Sequence, residues 1–202
     1  MMNKLVIVDY RTSNLLSIAK ALQKVGGNVL VTQDPEEIFR ADQLVLPGVG
    51  AYGTAMHNME TMGIHQAIVN FAMTGKPMIG ICLGMQLLFQ VSFEHGIHNG
   101  LNLIPGEVVS FDSMVKVPHM GWNQVSFERE SPLFRNLKSG LYAYFVHSYY
   151  VRTKPEFVAG TSTHGVTFPA VIQKDNIFGI QFHPEKSQSF GLTVLRNFLE
   201  VQ

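Results

Sequence analysis

Cys82 is the only cysteine of this 202-residue chain, and its surroundings suit a nucleophile. An apolar run leads into the turn that holds Gly80 and Gly84, and an apolar helical pattern follows at once. A nucleophile on such a strand–turn–helix connection projects over the end of the sheet, and glycines flank it because side chains there would collide. The N–H groups at the start of the helix favour a thiolate. We therefore predict that Cys82 is a nucleophile rather than a buried structural cysteine.

His183 and Glu185, far along the chain, have the residue types that such a thiol needs beside it. His183 follows an apolar strand-like run, Pro184 fixes its backbone, and Glu185 lies two positions further on. Residues i and i+2 of an extended segment point the same way, so the carboxylate can reach the imidazole nitrogen that faces away from the thiol. His-Pro-Glu alone is a weak motif. Together with Cys82 it predicts a nucleophile, a base and an orienting carboxylate.

The glycine-rich loop Pro47-Gly48-Val49-Gly50 follows another strand-like run. A loop of this kind, at the same sheet edge as the nucleophile, can present backbone N–H groups to the oxyanion that develops when a carbonyl is attacked. We predict that Val49 and Gly50 form an oxyanion hole together with the backbone N–H of Leu83.

Composition and charge narrow the classes to which the protein could belong. Fifteen basic and fifteen acidic residues cancel, so nothing points to nucleic acid or an anionic membrane as the partner. A hydrophobic fraction of 46% indicates a large core or a large buried interface. A single cysteine excludes an internal disulfide and favours the cytoplasm, and no signal peptide or transmembrane segment is visible.

We expect neither a cofactor nor a metal ion. His95 and His98 are three positions apart, but no cluster of carboxylates or cysteines accompanies them beyond Glu94. No Gly-x-Gly-x-x-Gly follows the first strand and no Walker loop is present, so dinucleotide or ATP binding has no support.

The pattern of apolar runs predicts one α/β domain over residues 1–202. In the first half, short apolar strands alternate with helical segments, which indicates parallel βαβ units with helices on both faces. The half after Gly100 is rich in strands with short polar turns, which indicates antiparallel pairing and a closing helix. Ligands of such sheets bind beyond the carboxyl ends of the strands. The predicted strands are 5–9, 28–32, 43–46, 77–81, 107–110, 115–117, 123–127, 142–146, 157–163, 170–174 and 177–181. The predicted helices are 14–25, 35–40, 51–60, 64–74, 83–90 and 190–201.

Four segments together resemble the class I (triad) glutamine amidotransferases. They are residues 46–50, residues 80–86, residues 118–123 and the pair 145–149 and 182–186. The resemblance covers nearly the whole chain. It is nearest to the glutaminase subunits of imidazole glycerol phosphate synthases, because Pro-Gly-Val-Gly and Pro-His-Met-Gly-Trp-Asn look specific to that group. The resemblance implies a flavodoxin-like α/β sandwich, with a mostly parallel central sheet and an additional antiparallel region in the C-terminal half.

The resemblance also implies glutaminase chemistry. Cys82 would attack the carboxamide carbon of glutamine, His183 would act as base and then as acid, and Glu185 would orient His183. Water would then release glutamate from a thioester. A carboxylate suits the ammonium group of the substrate, and backbone donors suit its carboxylate. The residues that match glutamine-binding positions of the family are Gly48, Gly50, Gln86, Glu94, Ser148 and Tyr149.

A second subunit, as partner, follows from the same resemblance. In the family, ammonia passes to a (β/α)₈-barrel synthase subunit, which makes imidazole glycerol phosphate and aminoimidazole carboxamide ribonucleotide. The family's glutaminase is weak until the partner binds its own ligand, so we predict that the loop 47–50 rearranges. The residues that match the partner face and the ammonia passage are Asn14, Trp122, Asn123, Tyr144 and Lys186.

Three alternatives stay open. The family usually has Gly-x-Gly-Asn, near the subunit interface, where this chain has Arg11-Thr12-Ser13-Asn14. A paralogous glutaminase subunit that serves a sugar-modifying synthase would therefore also fit. An inactive scaffold is disfavoured by the intact triad, and a cysteine hydrolase of peptides is disfavoured by a site suited to a small zwitterion.

Overall fold

Two β-sheets and six α-helices make up the computed structural model within the residues that it describes, 3–11 and 14–202. The strands are β1 (Lys4–Val8), β2 (Asn28–Thr32), β3 (Gln43–Leu46), β4 (Met78–Ile81), β5 (Phe89–Ser92), β6 (His98–Asn99), β7 (Ile104–Ser110), β8 (His119–Phe127), β9 (Leu141–His147), β10 (Tyr149–Arg152), β11 (Val158–His164), β12 (Val166–Lys174) and β13 (Ile177–Ile180). The helices are α1 (Leu15–Lys24), α2 (Pro35–Phe39), α3 (Tyr52–Thr61), α4 (His65–Met73), α5 (Leu83–Leu87) and α6 (Gln188–Leu199).

Parallel strands form one half of the larger sheet, in the order β2-β1-β3-β4-β13. Helices α1 and α6 cover one face, and α2 to α5 cover the other. The central strands are therefore apolar on both faces, and Val6, Val45 and Ile79 have no exposed surface. Strand β13 comes from the end of the chain, yet its Ile180 pairs with Ile81 at the end of β4. The segments after β4 and β13 consequently leave the sheet at the same edge.

Antiparallel strands form the other half of this sheet, in the order β12-β11-β8-β9, and β12 joins them to β13. Strand β9 is the outer edge. A smaller sheet, ordered β10-β7-β5-β6, holds the segment that follows α5. The structure thus confirms the predicted parallel first half and the largely antiparallel second half. None of the helices in the described part of the chain is long and apolar enough to span a bilayer.

The predicted helix 83–90 is too long. The N–H groups of Leu101 and Leu103 bond to the carbonyls of Leu87 and Leu88, which draws the chain out of the helix. The following residues form β5 and pair with β7.

The predicted strand 115–117 is wrong. The Met114 N–H donates to the Asp112 carboxylate over 2.9 Å, and the Val115 N–H donates to the Asp112 carbonyl over 3.2 Å. An aspartate that bonds its own backbone two residues on produces a turn, and this local chemistry overrides the apolar pattern of the segment. The short strands β6 and β10 went unpredicted, and β6, with two residues, is too short to show a period.

Candidate active site

Cys82 lies on the turn that joins β4 to α5, with backbone angles φ 53° and ψ −109°. A positive φ is strained for a residue with a side chain, and such strain clusters at functional turns. Close packing demands the flanking glycines, because a Cβ on Gly80 would overlap the Gly84 carbonyl and a Cβ on Gly84 would overlap the Leu46 carbonyl. The turn therefore rests directly on the end of β3, where the loop 47–50 begins.

His183 follows β13 at the same sheet edge as Cys82. Its backbone N–H donates to the Tyr144 carbonyl over 2.9 Å, which ties the segment to β9. His183 Nδ1 bonds to Glu185 Oε1 at 3.0 Å, and only 2% and 4% of the two side chains are exposed. The sequence predicts this contact in an extended segment. Instead, Pro184–Lys186 forms a 3₁₀ turn, and the turn brings the carboxylate to the ring.

Asn14 binds Glu185 from the position just before α1. Its side-chain Nδ2 donates to Glu185 Oε1 over 2.7 Å, so one carboxylate oxygen accepts from both Asn14 and His183. The resemblance assigns Asn14 to the partner interface, but its side chain is turned inward to the carboxylate. Thr12 and Ser13, in the segment that departs from the family pattern, lie outside the described residues.

Hydrogen bonding fixes the protonation of this pair. An ionised carboxylate only accepts, so Nδ1 of His183 carries a proton. Burial lowers the pKa of His183, but interactions with Cys82 and Glu185 outweigh burial and raise the pKa to about 10. Burial raises the pKa of Glu185, but the bonds from His183 and Asn14 bring it below its usual value. The site therefore favours the imidazolium form of His183 beside an ionised Glu185. The positive charge of the imidazolium in turn favours a thiolate at Cys82.

The second ring nitrogen of His183, Nε2, is the one available for proton transfer. Nε2 is buried and has no conventional hydrogen-bond partner among the described residues, although the ring interacts with Cys82. Oε2 of Glu185 is likewise buried without such a partner. Nε2 can therefore exchange a proton with the sulfur or with a bound substrate, while Nδ1 stays committed to Glu185.

The predicted oxyanion hole is not assembled in this conformation. The N–H of Leu83 donates to the Gly48 carbonyl at 3.4 Å, so a carbonyl oxygen occupies the place of the expected anion. The Tyr10 hydroxyl donates to the Pro47 carbonyl and anchors the start of the loop. Gly50 has φ 126°, which favours glycine. The loop and Leu83 are thus in contact as predicted. The loop presents a carbonyl oxygen there, however, whereas the prediction requires an N–H donor.

A cavity of about 610 Å³ opens beside Cys82, within the size range of small-molecule sites. Five of the six predicted glutamine-binding residues line it, and Gly48 lies instead against Tyr10 and Leu83. His147 and Pro118 also line the cavity; they lie in the segments 145–149 and 118–123 that carry the resemblance, but neither was predicted as a site residue. The lining residues are Val49, Gly50, Cys82, Leu83, Gln86, Glu94, His95, Val117, Pro118, Val146, His147, Ser148 and Tyr149.

Two polar residues of the cavity are oriented by the protein itself. Glu94 Oε2 accepts from the Tyr52 N–H over 2.7 Å at the start of α3, which leaves Oε1 for a cationic group. Gln86 Nε2 donates to the Tyr149 carbonyl over 3.0 Å and to Gln181 Oε1 over 3.1 Å. Both amide hydrogens of Gln86 are thereby used, so its Oε1 is the atom that can accept from a ligand.

Trp122, Tyr144 and Lys186 form a surface cluster near the site. Trp122 pairs with Tyr144 across β8 and β9, and their ring centroids are 6.1 Å apart. The Lys186 ammonium lies 5.5 Å from the centre of the Tyr144 ring. Trp122 is 47% exposed, so its ring lies on the surface and not in the core.

Asn123 faces away from that cluster. Its Nδ2 contacts His119 Nε2 at 3.1 Å and donates to the Thr163 carbonyl over 2.8 Å. Neighbouring residues of a strand point to opposite faces, so Trp122 and Asn123 cannot share one surface. The resemblance places Asn123 on the partner face. In the structure its side chain lies on the opposite face of the sheet from Trp122, where it contacts His119 and bonds to Thr163 of the neighbouring strand β11.

Comparison with known proteins identifies the family of the chain. The family model for glutamine amidotransferase class-I matches residues 6–201. The imidazole glycerol phosphate synthase subunit HisH of Moorella thermoacetica is 51% identical over 201 residues, which cover 99% of this chain and 96% of that protein. The subunit of the same name from Geobacter sulfurreducens is 47% identical over 209 residues, with both chains covered fully.

Solved structures share the fold at much lower identity. A putative GMP synthase protein from Thermoplasma acidophilum superposes with a TM-score of 0.73 at 21% identity, covering 98% of this chain and 93% of that one. PurLQS from Thermotoga maritima gives a TM-score of 0.75 at 20% identity and covers 98% of both chains. The chain belongs to the class-I glutamine amidotransferase family.

Proposed function

We propose that this chain is the glutaminase subunit of an imidazole glycerol phosphate synthase. It hydrolyses glutamine and passes the ammonia to a (β/α)₈-barrel cyclase subunit. The observation that carries the proposal is the buried His183–Glu185 pair beside Cys82, which opens onto a cavity of suitable size. Relatives at 51% and 47% identity that are named as subunits of that synthase support the choice of pathway.

The proposed reaction begins with Cys82 as a thiolate and His183 as an imidazolium. The sulfur attacks the carboxamide carbon of glutamine, and a carbon–sulfur bond forms. His183 gives its Nε2 proton to the nitrogen, the carbon–nitrogen bond breaks, and ammonia leaves behind a glutamyl thioester. His183 then takes a proton from water while the oxygen attacks the thioester. The carbon–sulfur bond breaks, which releases glutamate and restores the ion pair.

Glu185 and the cavity residues have supporting roles in this scheme. Glu185 stays ionised, since its pKa lies below the usual value, and holds Nδ1–H of His183 through both steps. Glu94 Oε1 and Gln86 Oε1 accept from the ammonium group of glutamine. Ser148 and Tyr149 line the same cavity.

The oxyanion hole requires one peptide group to rotate. The carbonyl of Gly48 and the N–H of Val49 belong to the same planar peptide and point in opposite directions. Rotation of that peptide would remove the carbonyl from Leu83 and bring the Val49 N–H to the same place. Rotation of this peptide changes ψ of residue 48 and φ of residue 49, and glycine at position 48 lowers the steric cost of its part. We infer that docking of the liganded partner drives it.

The partner face is assigned to the exposed surface of β8 and β9. Met120 and Trp122 lie on this face of β8, Tyr142 lies on β9, and 63%, 47% and 55% of these side chains are exposed. The same strand face includes Val146, which lines the cavity, so a partner seated there would meet the ammonia where it is formed. A cytoplasmic location follows from the proposed role in imidazole glycerol phosphate synthesis.

Truncation of Trp122 tests the partner face. Trp122→Ala should weaken binding of the barrel subunit by about 30-fold, as loss of an aromatic interface anchor does. Phe39→Ala is the matched control, because 47% of Phe39 is also exposed but it lies on α2, away from the site. Equal affinities of the two variants for the barrel would contradict the assignment.

Reconstitution with the barrel subunit tests the function. The complex should convert glutamine and the phosphoribulosyl precursor to imidazole glycerol phosphate, whereas the barrel by itself should need free ammonium. Glutamate production without transfer to this barrel would instead favour a paralogous glutaminase with another synthase. Activity on peptides but not on glutamine would contradict both.

A further inference from the structure

Gln181 is a buried polar residue next to the nucleophile that the glutaminase scheme leaves without a role. It follows β13 directly, none of its surface is exposed, and its backbone N–H donates to the Ala170 carbonyl over 2.9 Å. Its side-chain Nε2 lies 3.6 Å from the sulfur of Cys82, within the range of a hydrogen bond to sulfur.

A chain of hydrogen bonds fixes which end of the Gln181 amide faces the sulfur. The carbonyl of Tyr149 can only accept, so the atom of Gln86 that lies 3.0 Å from it is the nitrogen. That nitrogen also lies 3.1 Å from Gln181, so the Gln181 atom there is the oxygen. The remaining atom of the Gln181 amide is therefore the nitrogen, and it points an N–H at Cys82.

We propose that Gln181 stabilises the Cys82 thiolate by donating this N–H to the sulfur, and that Gln86 holds the donor in place. A hydrogen bond to a charged acceptor is stronger than one between neutral groups, so the donor favours the thiolate over the thiol. An amide does not titrate at working pH. Gln181 therefore stabilises the anion without protonating it, whereas His183 must give up and recover a proton in each turnover. The catalytic consequence rests on the proposed glutaminase function.

The experiment uses the isolated chain and needs neither glutamine nor a partner. Cys82 is the only cysteine, so alkylation by iodoacetamide, followed by mass spectrometry across a range of pH, reports on this thiol alone. Gln181→Met replaces the amide with an apolar side chain of similar length. The pH of half-maximal alkylation rate should rise by about one unit, because the thiolate loses a donor.

Two further variants separate the donor from its surroundings. Gln86→Met removes the contact that orients Gln181 but keeps the Gln181 amide, and it should shift the midpoint less than Gln181→Met does. Gln43→Met is the matched control. Gln43 is 2% exposed, and its Nε2 bonds to the carbonyls of Phe198, Leu199 and Val201, far from the site. It loses a buried amide in the same way and should leave the alkylation midpoint unchanged.

Unfolding of a variant is monitored by circular dichroism. If Gln181→Met does not fold, Gln181→Asn replaces it. This variant keeps an amide but moves it one methylene further from the Cys82 sulfur, so the alkylation midpoint should still rise. An alkylation midpoint equal to that of the unsubstituted chain, in a folded Gln181 variant, overturns the proposal. So does an equal shift in Gln43→Met, because the effect would then be one of stability.

Glutamine hydrolysis in the complex separates this inference from the proposed function. Gln181→Met should lower the kcat of the complex by about tenfold. If the unsubstituted complex fails to hydrolyse glutamine while the alkylation midpoint still shifts, the glutaminase assignment is wrong and the donor role of Gln181 stands. If the complex hydrolyses glutamine but the midpoint does not shift, the glutaminase assignment stands and the donor role is wrong.

Discussion

The two sides of the Cys82 turn differ in how complete they are. On one side, His183, Glu185 and Asn14 are joined by bonds of 3.0 and 2.7 Å. On the other side, the Leu83 N–H meets the Gly48 carbonyl, where the glutaminase scheme needs a second donor. The groups that move protons are thus assembled in the isolated chain, whereas the groups that stabilise the oxyanion are not.

We infer from this difference that the loop 47–50 controls the reaction. Buried side chains that are packed and bonded on several sides keep one arrangement. A loop peptide that follows a glycine can take a second arrangement by rotating, and a partner can favour one of the two by its differential affinity. We therefore expect nucleophile and base to be ready without a partner and turnover to depend on one.

Loss of the nucleophile should have the strongest effect. Cys82→Ala should lower glutamine hydrolysis by the complex by about 10⁴-fold, because no thioester can form. Glutamate release measures it, and ammonium-dependent synthesis by the barrel subunit should continue in the same sample. Unchanged hydrolysis would show that the assembled side of the site is not the reacting one.

The second effect tests the incomplete side. Hydrolysis by the isolated chain should be slower than by the liganded complex by about 10²-fold, the usual cost of one missing oxyanion donor. Steady-state glutamate production with and without the partner's ligand measures the ratio. Equal rates in the two states would mean that the loop is not the switch.

A smaller effect is expected from Asn14. Asn14→Ala removes one of the donors that hold the pKa of Glu185 below its usual value, so this pKa should rise. Glu185 is ionised only above its pKa. When that pKa rises, the acid limb of the kcat/KM profile should therefore move to higher pH. Activity at neutral pH should fall by about tenfold. Asn58→Ala, whose amide bonds to the Tyr10 carbonyl instead, is the control and should keep the profile.

The weakest effect concerns stability and the cavity wall formed by His147. His147 Nδ1 donates to the Tyr149 carbonyl at 2.8 Å, so Nε2 is the acceptor for His119 Nδ1 at 2.9 Å, and both rings are neutral. Burial, together with nearby histidines, lowers the pKa of His147 to about 3, and burial and His164 lower that of His119 to about 4.

These lowered values predict an acid-sensitive fold. The unfolded chain takes up protons near the ordinary histidine value of about 6.5, so stability is full above that pH and falls below it. His119→Gln keeps a donor for His147 but cannot titrate. It should reduce the loss of unfolding free energy between pH 7 and pH 5 by about 1 kcal/mol. Denaturant unfolding at both pH values measures this.

Much of the site could be predicted because its signals are local. Glycines around Cys82 are needed where backbones nearly touch, so they mark the turn directly. His183 and Glu185 are two residues apart, and a short turn suffices to join them. Asn14 and Gln181 carry no such signal, because their partners Glu185 and Cys82 lie 171 and 99 positions away in the chain. The pairing of β13 with β4 brings Gln181 to Cys82, and the packing of α1 against the turn 184–186 brings Asn14 to Glu185.

The order of the amino acids was enough to specify the residue types of the triad, the parallel and antiparallel halves and the glycines that permit a tight turn. These follow from short-range sterics and from apolar periodicity. The direction of each polar group was set by packing in three dimensions. It turned Asn14 inward, placed a carbonyl against Leu83 and pointed the Gln181 amide at the sulfur. The direction of a polar group depends on which hydrogen-bond partners lie nearby in space, and those partners are distant along the chain.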